Sequence, residues 1–246
     1  SDLLNLEVLY QLESLYINLP SVSDKAFSKT SKLAVSRHDS IQAIEWIPLV
    51  KEQNRASFEQ QRQQHYPNFQ ITERNSNKVM VPAQKRAEYY PVSIVVPQKG
   101  NEAAIGFDLA SNDSRKTTLI QSSDSGEMQA TAGINLVQIK GKDKGFLVFL
   151  PIYQTGESLA GEEKQLKGFV LGVFQAAQLL QAAIIDSIKG HSHLQLIDIT
   201  DGGSQLLTEQ KLDEQQYSQI EITIPLKSIA GRMWSLKAVA SSDYIS

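Results

Sequence analysis

The hydrophobic periodicity of the chain changes after residue 67, and this change limits the possible folds more than any other feature. Before that point, apolar residues recur about every 3.6 positions, as they do along 2–19, which predicts an amphipathic helix. A helix is also predicted over 21–36, with a loop as the alternative, and another over 39–66, which Pro48 kinks or divides into two helical segments. After residue 67 the period falls to about 2, which is typical of strands. The sequence therefore predicts an α+β fold, with helices first and antiparallel sheets after them.

The β-rich part divides into two blocks that are separated by a helix. The first block is predicted to contain strands at 69–73, 89–97, 130–139, 146–153 and 166–174, with a short helix at 111–123. A helix is predicted over 176–188, and Gly190 is suited to end it. The second block contains predicted strands at 194–199, 205–208, 218–225 and 232–240. Because the second block is short, we expect it to pack against the N-terminal helices.

The composition is typical of a globular protein and excludes several kinds of site. The chain has 246 residues, of which 41% are hydrophobic, enough to form a substantial core. Its net charge of -3 does not favour a nucleic-acid partner. Because the chain contains no cysteine, disulfides, thiolate zinc sites, iron–sulfur clusters and thiol nucleophiles are excluded. No cofactor is predicted.

The ends of the sequence suggest a segment of a longer protein. The chain begins with Ser1 instead of an initiator methionine, and it ends abruptly at Ser246. No apolar run approaches the roughly 18–20 residues that cross a bilayer, and no basic stretch of a signal peptide precedes the first helix. We expect that membrane helices or an output module belong to the remainder of the protein.

Two motifs imitate functional sites. Residues 156–161 have the glycine spacing of a phosphate loop, but Glu162 stands where such a loop needs lysine, so a solvent-exposed loop is expected. His191 and His193 would share one face of a strand, which is a weak indication of a metal ligand pair. Because no carboxylate lies nearby at ligand spacing, no metal site is predicted.

Asp108 is the polar residue that most needs an explanation. It stands in the otherwise apolar segment 104–109, where a strand gives way to a helix. A carboxylate in this position either caps the helix by accepting hydrogen bonds from backbone N–H groups or anchors the donor groups of a ligand in a dry pocket. The local sequence leaves both interpretations open.

Several short segments, taken in order, resemble the CHASE family of sensory domains. They run from about residue 41 to 185. They include Gly106 to Ser111 followed by Arg115, which resembles the Gly-x-Asp-Leu-x-Ser segment of the family. The other segments are 44–50 with Arg55 and 58–59, 90–92 with Pro97 and Asn101, 124–126 with Thr131, Leu136 and Gln138, 150–153, and 168–174.

The resemblance implies an extracytoplasmic sensor between two transmembrane helices, with a stalk of N-terminal helices and two PAS-like antiparallel modules. The expected division is a helical stalk over 1–67, a membrane-distal ligand-binding module over 68–175, and a linking helix with a membrane-proximal module over 176–246. Relatives head histidine kinases, diguanylate cyclases, phosphodiesterases and adenylate cyclases, or bind cytokinins in plants. The spacing between Asp108 and Gly126 departs from the plant pattern, so a cytokinin is not implied.

The resemblance also implies a ligand pocket in the distal module. By this resemblance, Asp108 corresponds to the aspartate that anchors the ligand in the plant receptors. A carboxylate anchor predicts a small ligand with hydrogen-bond donors. Alternate strand residues share a face, so one wall is predicted from Tyr90, Val92, Ile94 and Val96. Thr131 is predicted as a second polar contact, and Leu136, Gln138, Phe149 and Tyr153 as further lining. For the apolar residues, plain core packing is the alternative.

The function expected from these observations is a periplasmic sensor module without catalytic activity of its own. The parent protein is expected to be a diguanylate cyclase or phosphodiesterase, or a histidine kinase, anchored by flanking membrane helices. The apolar stripe along 4–19 is a candidate homodimer surface, or it packs against the sheets of its own chain. Two alternatives remain: a module that senses a partner protein without a small ligand, and a hydrolase with Asp108 as general base.

Overall fold

The computed structural model describes residues 4–138, 143–154, 164–183, 192–211, 217–226 and 228–241. Within these residues the helices are α1 (Glu7–Asn18), α2 (Asp24–Arg37), α3 (Arg55–Arg62), α4 (Asp113–Ser125) and α5 (Ala176–Ala183). The strands up to the second block are β1 (Ile41–Pro48), β2 (Val50–Lys51), β3 (Thr72–Arg74), β4 (Met80–Pro82), β5 (Glu88–Tyr89), β6 (Ile94–Val96), β7 (Gln129–Ala130), β8 (Gly145–Tyr153) and β9 (Leu166–Gln175). The second block contains β10 (Ser192–Asp198), β11 (Gln205–Gln210), β12 (Tyr217–Pro225) and β13 (Trp234–Ser241).

Two antiparallel sheets follow the N-terminal helices, which confirms the predicted α+β class. The first sheet has the strand order β6-β1-β9-β8-β7, and the second has the order β11-β10-β13-β12. The strands β8 and β9, predicted as buried runs, pair along most of their length, with Val148 opposite Gly172. Because both faces of this sheet are covered, its central strands are apolar at nearly every position.

The first sheet separates two parts of the hydrophobic core. On one side, Ile44, Trp46 and the even-numbered residues 146–152 of β8 pack in one cluster with α1, α2 and the second sheet. On the other side, Ala43, Ile47 and Phe149 pack in a second cluster with Phe107, Leu109 and Leu119. The side with α1 and α2 is called the helix side below, and the side with α4 is called the α4 side.

The helix predicted over 39–66 is wrong over its first half. Residues 41–48 form β1, which lies between β6 and β9, and the helical part is confined to a 3-10 turn at Glu52–Asn54 and the α-helix Arg55–Arg62. Ile41, Ile44 and Ile47 have helical spacing by coincidence, because a strand that is covered on both faces loses its alternation. The first sheet therefore includes residues that were assigned to the stalk.

The strand predicted over 130–139 is also largely absent from the described residues. Only Gln129–Ala130 pairs with β8, and Ile134 makes one isolated bridge to Gly145. At Gly133 the backbone N–H and C=O groups bond instead to the side-chain amide of Gln205, at 3.0 Å each. A side chain of the second sheet thus takes the place of a neighbouring strand, and 131–138 is irregular.

The apolar stripe of the first helix packs inside its own chain. Leu4, Val8 and Leu12 are buried in the core on the helix side, where α1 contacts β8 and β9. Leu19 is exposed. On the outer face of α1, Tyr10 and Ile17 are 47% and 52% exposed. A homodimer contact through this helix, if present, would have to use that outer face.

Candidate ligand-binding site

Asp108 is held by the backbone on either side of it. Its side chain is fully buried, and its Oδ1 accepts hydrogen bonds from Tyr90 N at 2.8 Å and Ala110 N at 3.2 Å. It thereby caps the 3-10 helix at Leu109–Ser111, while Asn112 caps α4 by accepting from Arg115 N. Just before Asp108, the backbone of Gly106 lies close to the backbone of Gln70. Only glycine suits this position, because its φ is 84° and a Cβ there would collide with the Gln70 carbonyl oxygen.

The second carboxylate oxygen of Asp108 makes no hydrogen bond within the part of the chain that the structure describes. Oδ2 is buried, and Arg86 Nη1 lies 3.8 Å from it, while Arg86 Nη2 lies 2.5 Å from Glu73 Oε2. Burial raises the pKa of the Asp108 carboxyl, and the two backbone donors and Arg86 act in the opposite direction. Of the two interpretations left open for Asp108, its side chain makes capping contacts, but with the 3-10 helix and not with α4, which Asn112 caps. A ligand donor would have only Oδ2 to bind.

Two substitutions separate the two roles of Asp108. Asp108→Ala should lower the free energy of unfolding by about 2–3 kcal/mol, because it leaves the buried Tyr90 N–H without an acceptor and removes a cap. Asp108→Asn keeps Oδ1 and should lose less than half as much. Urea denaturation of both variants measures this. Equal losses in the two variants would show that the charge matters and that the cap does not.

The side chains on either side of Asp108 border a different space. Phe107 and Leu109 line a small cavity on the α4 side of the first sheet, together with Glu45, Arg115 and Gln138. Its volume of about 10 Å³ has room for about one water molecule. The cavity is therefore too small for a metabolite, but two charged groups border it.

Glu45 is a carboxyl group inside the core. It lies on β1 with 2% exposure, and Gln138 Nε2 donates a hydrogen bond of 2.9 Å to its Oε1. Burial raises the pKa of Glu45 to about 8, while Arg115 and the Gln138 hydrogen bond lower it. At neutral pH the carboxyl is therefore largely protonated.

Arg115 is a buried cation at the other end of the same cavity. It is 6% exposed, and Nη2 donates to the Asn135 carbonyl at 3.0 Å. Its guanidinium lies 5.5 Å from the centre of the Phe107 ring, and Nε has no hydrogen-bond partner among the residues described. Burial lowers the pKa of Arg115 to about 10, and the nearby positive charge of Arg74 acts in the same direction. Among the described residues, Arg115 forms no ion pair, with Glu45 or any other carboxylate.

A larger cleft opens beside this cavity and shares three of its lining residues, Phe107, Arg115 and Val137. Its volume is about 460 Å³, within the range of small-molecule sites. The first turn of α4 forms part of its wall, and we call it the α4 cleft. Its remaining lining residues are Arg74, Lys78, Ser111, Asn112, Ser114, Gly133, Ile134, Asn135 and Lys144.

The structure brings only part of the predicted site together. Val92 and Gln138 line the small cavity, and Tyr90, Leu136 and Phe149 pack in the core on the α4 side. Thr131 is buried, and its Oγ1 accepts a hydrogen bond from Leu147 N. The Tyr153 hydroxyl donates to the Ser123 carbonyl oxygen at 2.7 Å. These contacts give Thr131 and Tyr153 structural roles.

The predicted wall of alternating residues is wrong for two of its members. Ile94 and Val96 lie on the helix side of the sheet, and Tyr90 and Val92 lie on the α4 side. The strand β6 begins only at Ile94, so the irregular backbone at Pro91–Ser93 breaks the alternation.

Glu45 and Arg115 were not among the predicted site residues. Glu45 lies between Ile44 and Trp46, which signals a buried carboxylate only if the segment is taken as a strand. In a helix, the same neighbours give no indication that Glu45 is buried. Arg115 lies in the resembling segments, but no local pattern distinguishes it from a surface arginine on α4.

The described residues contain no cluster of three or more side chains suited to hold a metal ion. His193 Nε2 lies 3.0 Å from Glu209 Oε2, whereas His191 and the loop at 156–161 lie outside the described residues. No helix in the described part of the chain is long and apolar enough to cross a membrane.

A model of the CHASE domain matches residues 20–208, most of the chain. The chain belongs to the CHASE domain family. As a CHASE domain it is an extracytoplasmic sensor domain of signal transduction. It is 29% identical over 138 residues to hybrid signal transduction histidine kinase A of Dictyostelium discoideum, an alignment that covers 55% of this chain and 6% of that protein. The CHASE domain therefore corresponds to a small part of that relative.

Solved structures confirm the fold of this CHASE domain. The periplasmic sensory domain of the Campylobacter jejuni chemoreceptor Tlp1 is similar with a TM-score of 0.52 and 9% identity, over 98% of this chain and 87% of that chain. An extracellular ligand binding receptor from Desulfohalobium retbaense has a TM-score of 0.53 and 8% identity, over 95% of this chain and 36% of that chain. At these identities the similarity concerns the fold, two PAS-like sheet modules behind N-terminal helices.

Proposed function

We propose that this CHASE domain binds a small ligand in the α4 cleft and relays binding across the membrane to a cytoplasmic output module. The observation that carries the proposal is Arg115, a buried cation that lines the cleft and forms no ion pair with the described carboxylates, Glu45 included. Burial of an uncompensated charge costs several kcal/mol. A ligand that offers partners to Arg115 would recover part of this cost, which supports a binding role for the cleft.

The strand β1 offers a route from the cleft to the helices. Glu45 lies on the α4 side of the sheet, while its neighbours Ile44 and Trp46 lie on the helix side. The Trp46 ring stacks on Tyr16 of α1 with a centroid distance of 4.1 Å. A ligand that shifts β1 would therefore also shift α1. The size of this coupling is limited by the difference in ligand affinity between the two arrangements.

The proposed parent protein is a membrane-bound receptor in which this domain lies in the periplasm between two membrane helices. The histidine kinase relative supports a histidine kinase output, and a diguanylate cyclase or phosphodiesterase is the alternative. The chain itself is proposed to bind and not to catalyse. The outer face of α1 is the proposed homodimer contact. The proposed division remains stalk, distal module and proximal module, with boundaries at 67 and 175, and β1 joins the sheet of the distal module.

A thermal-shift screen of metabolites tests the proposal. A ligand at 100 times its dissociation constant should stabilise the domain by about 2.7 kcal/mol. The matched variant is Ser114→Trp, which fills the cleft from an exposed position on α4, and the control is Ile120→Trp, which adds the same ring elsewhere on α4. Stabilisation should be lost in the first variant and kept in the second.

The screen also separates the alternatives for this domain. If no compound stabilises the wild-type domain, the partner-protein hypothesis is favoured over the small-ligand proposal. A compound that stabilises wild type and Ser114→Trp equally would place the ligand outside the α4 cleft and would contradict the proposed site.

A further inference from the structure

The charge distribution of the α4 cleft is strongly one-sided. Four cationic side chains line it, and no Asp or Glu is among the described lining residues. The chain as a whole has 24 Lys and Arg residues against 27 Asp and Glu residues, so a local excess of four positive charges runs against the overall balance. The cationic lining residues are Arg74, Lys78, Arg115 and Lys144.

These cations do not find anionic partners within the described residues. None of the four forms an ion pair there, and Lys144 Nζ donates to the neutral Asn135 Oδ1 at 2.9 Å. By contrast, Arg55, Arg62, Arg86 and Arg232 are all paired with carboxylates. Like charges that are close to one another and unpaired repel, as the effect of Arg74 on the pKa of Arg115 shows.

The α4 helix adds to the positive potential of the cleft. Ser111, Asn112 and Ser114, which surround its N-terminus, line the cleft, whereas the acidic Asp113 of the same turn is exposed and is not among the lining residues. Helix N-termini favour negative charge. The buried Nε of Arg115, on the same helix, finds no hydrogen-bond partner in the described ranges of the chain, which is a second and independent indication of a missing acceptor. Oxyanions are the groups that guanidinium, ammonium and helix N–H donors bind together.

We infer that the α4 cleft binds a small metabolite with two or more anionic oxygen groups, either carboxylates or a phosphate. The inference rests on the proposed function, and it specifies the ligand that the cleft selects. One anionic group binds Arg115 at the inner end of the cleft, and the other binds the exposed Arg74 and Lys78 at its outer end. The cleft volume of about 460 Å³ accommodates a di- or tricarboxylate of this kind.

The test is a calorimetric titration of the domain with four probes: succinate, citrate, inorganic phosphate and the uncharged succinamide. The variant is Arg74→Gln/Lys78→Gln, and the control is Lys51→Gln/Lys99→Gln, which removes two exposed cations outside the cleft. At least one anion should bind the wild-type domain, and its affinity should fall about tenfold or more in the variant and less than about twofold in the control. Preference for the carboxylates or for phosphate identifies the anionic group.

Three results would overturn the inference. They are an absence of binding by all three anions, equal binding of succinate and succinamide, and equal anion affinity in wild type and variant. Failure of this inference can be distinguished from failure of the proposed function. An uncharged ligand from the metabolite screen that is lost in Ser114→Trp would preserve the cleft as the binding site, and it would overturn only the anionic ligand.

Discussion

The free energy of unfolding of the wild-type domain should fall by about 3–5 kcal/mol between pH 5 and pH 8.5 because of Glu45 alone. The pKa of this buried carboxyl is about 8 in the folded chain, against 4.5 for the exposed group. Between these values the folded chain keeps a proton that the unfolded chain has released. Each rise in pH within this window therefore favours unfolding. Below pH 4.5 both states are protonated, and the contribution of Glu45 no longer changes.

The matched variant for this prediction is Glu45→Gln. Its side chain has nearly the same shape, can still accept the Gln138 hydrogen bond and does not titrate. Urea denaturation of both proteins across the pH range gives the difference in stability, which removes the contribution of other titrating groups. The two proteins should be nearly equal at pH 5, and the variant should be the more stable at pH 8.5. A difference that does not change with pH would show that Glu45 is ionised or solvated in the folded chain.

Phe149→Ala should destabilise the domain by about 3–5 kcal/mol, the typical cost of removing a buried phenyl ring. The Phe149 side chain is fully buried in β8, and its ring packs edge-on against Phe169 with a centroid distance of 5.6 Å. The sequence predicted Phe149 as a pocket residue, with core packing as the alternative. The structure favours core packing, since Phe149 does not line the cavity or the α4 cleft.

Leu206→Ala is a suitable control for this substitution. Leu206 lies on β11 and is 44% exposed, so its loss should change the free energy of unfolding by less than about 1 kcal/mol. Thermal or urea unfolding of both variants makes the comparison. A loss below about 1 kcal/mol for Phe149→Ala, together with loss of ligand binding, would return Phe149 to the binding site and contradict the packing described here.

The fold was largely predictable where the local pattern and the tertiary surroundings agree. The apolar β-branched and aromatic runs at 146–153 and 166–174 form β8 and β9, and Asn112 and Gly126 delimit α4 as capping residues. The pattern failed at 41–48, because a strand with both faces covered shows no alternation, and its isoleucines happened to have helical spacing.

The same failure explains why the candidate site was only partly predictable. Gln138 was found through the family resemblance and Val92 through strand alternation, whereas Asp108, singled out by its apolar surroundings, is not among the lining residues of the cavity or the α4 cleft. Glu45 was missed because a polar residue on a predicted helix is assigned to solvent, whereas on a central strand it must lie in the core. The unpaired state of Arg115 depends on residues from distant segments, and no single stretch of sequence contains that information.

A crystal structure of the domain with the strongest stabiliser from the metabolite screen tests the central claim most directly. The account predicts ligand density in the α4 cleft, with an acceptor atom within hydrogen-bonding distance of the Arg115 guanidinium. Density elsewhere would contradict it. The other places to inspect are the groove beside Trp46 and Lys51 and the groove beside Gln129 and Arg232, which have volumes of about 610 Å³ and 580 Å³.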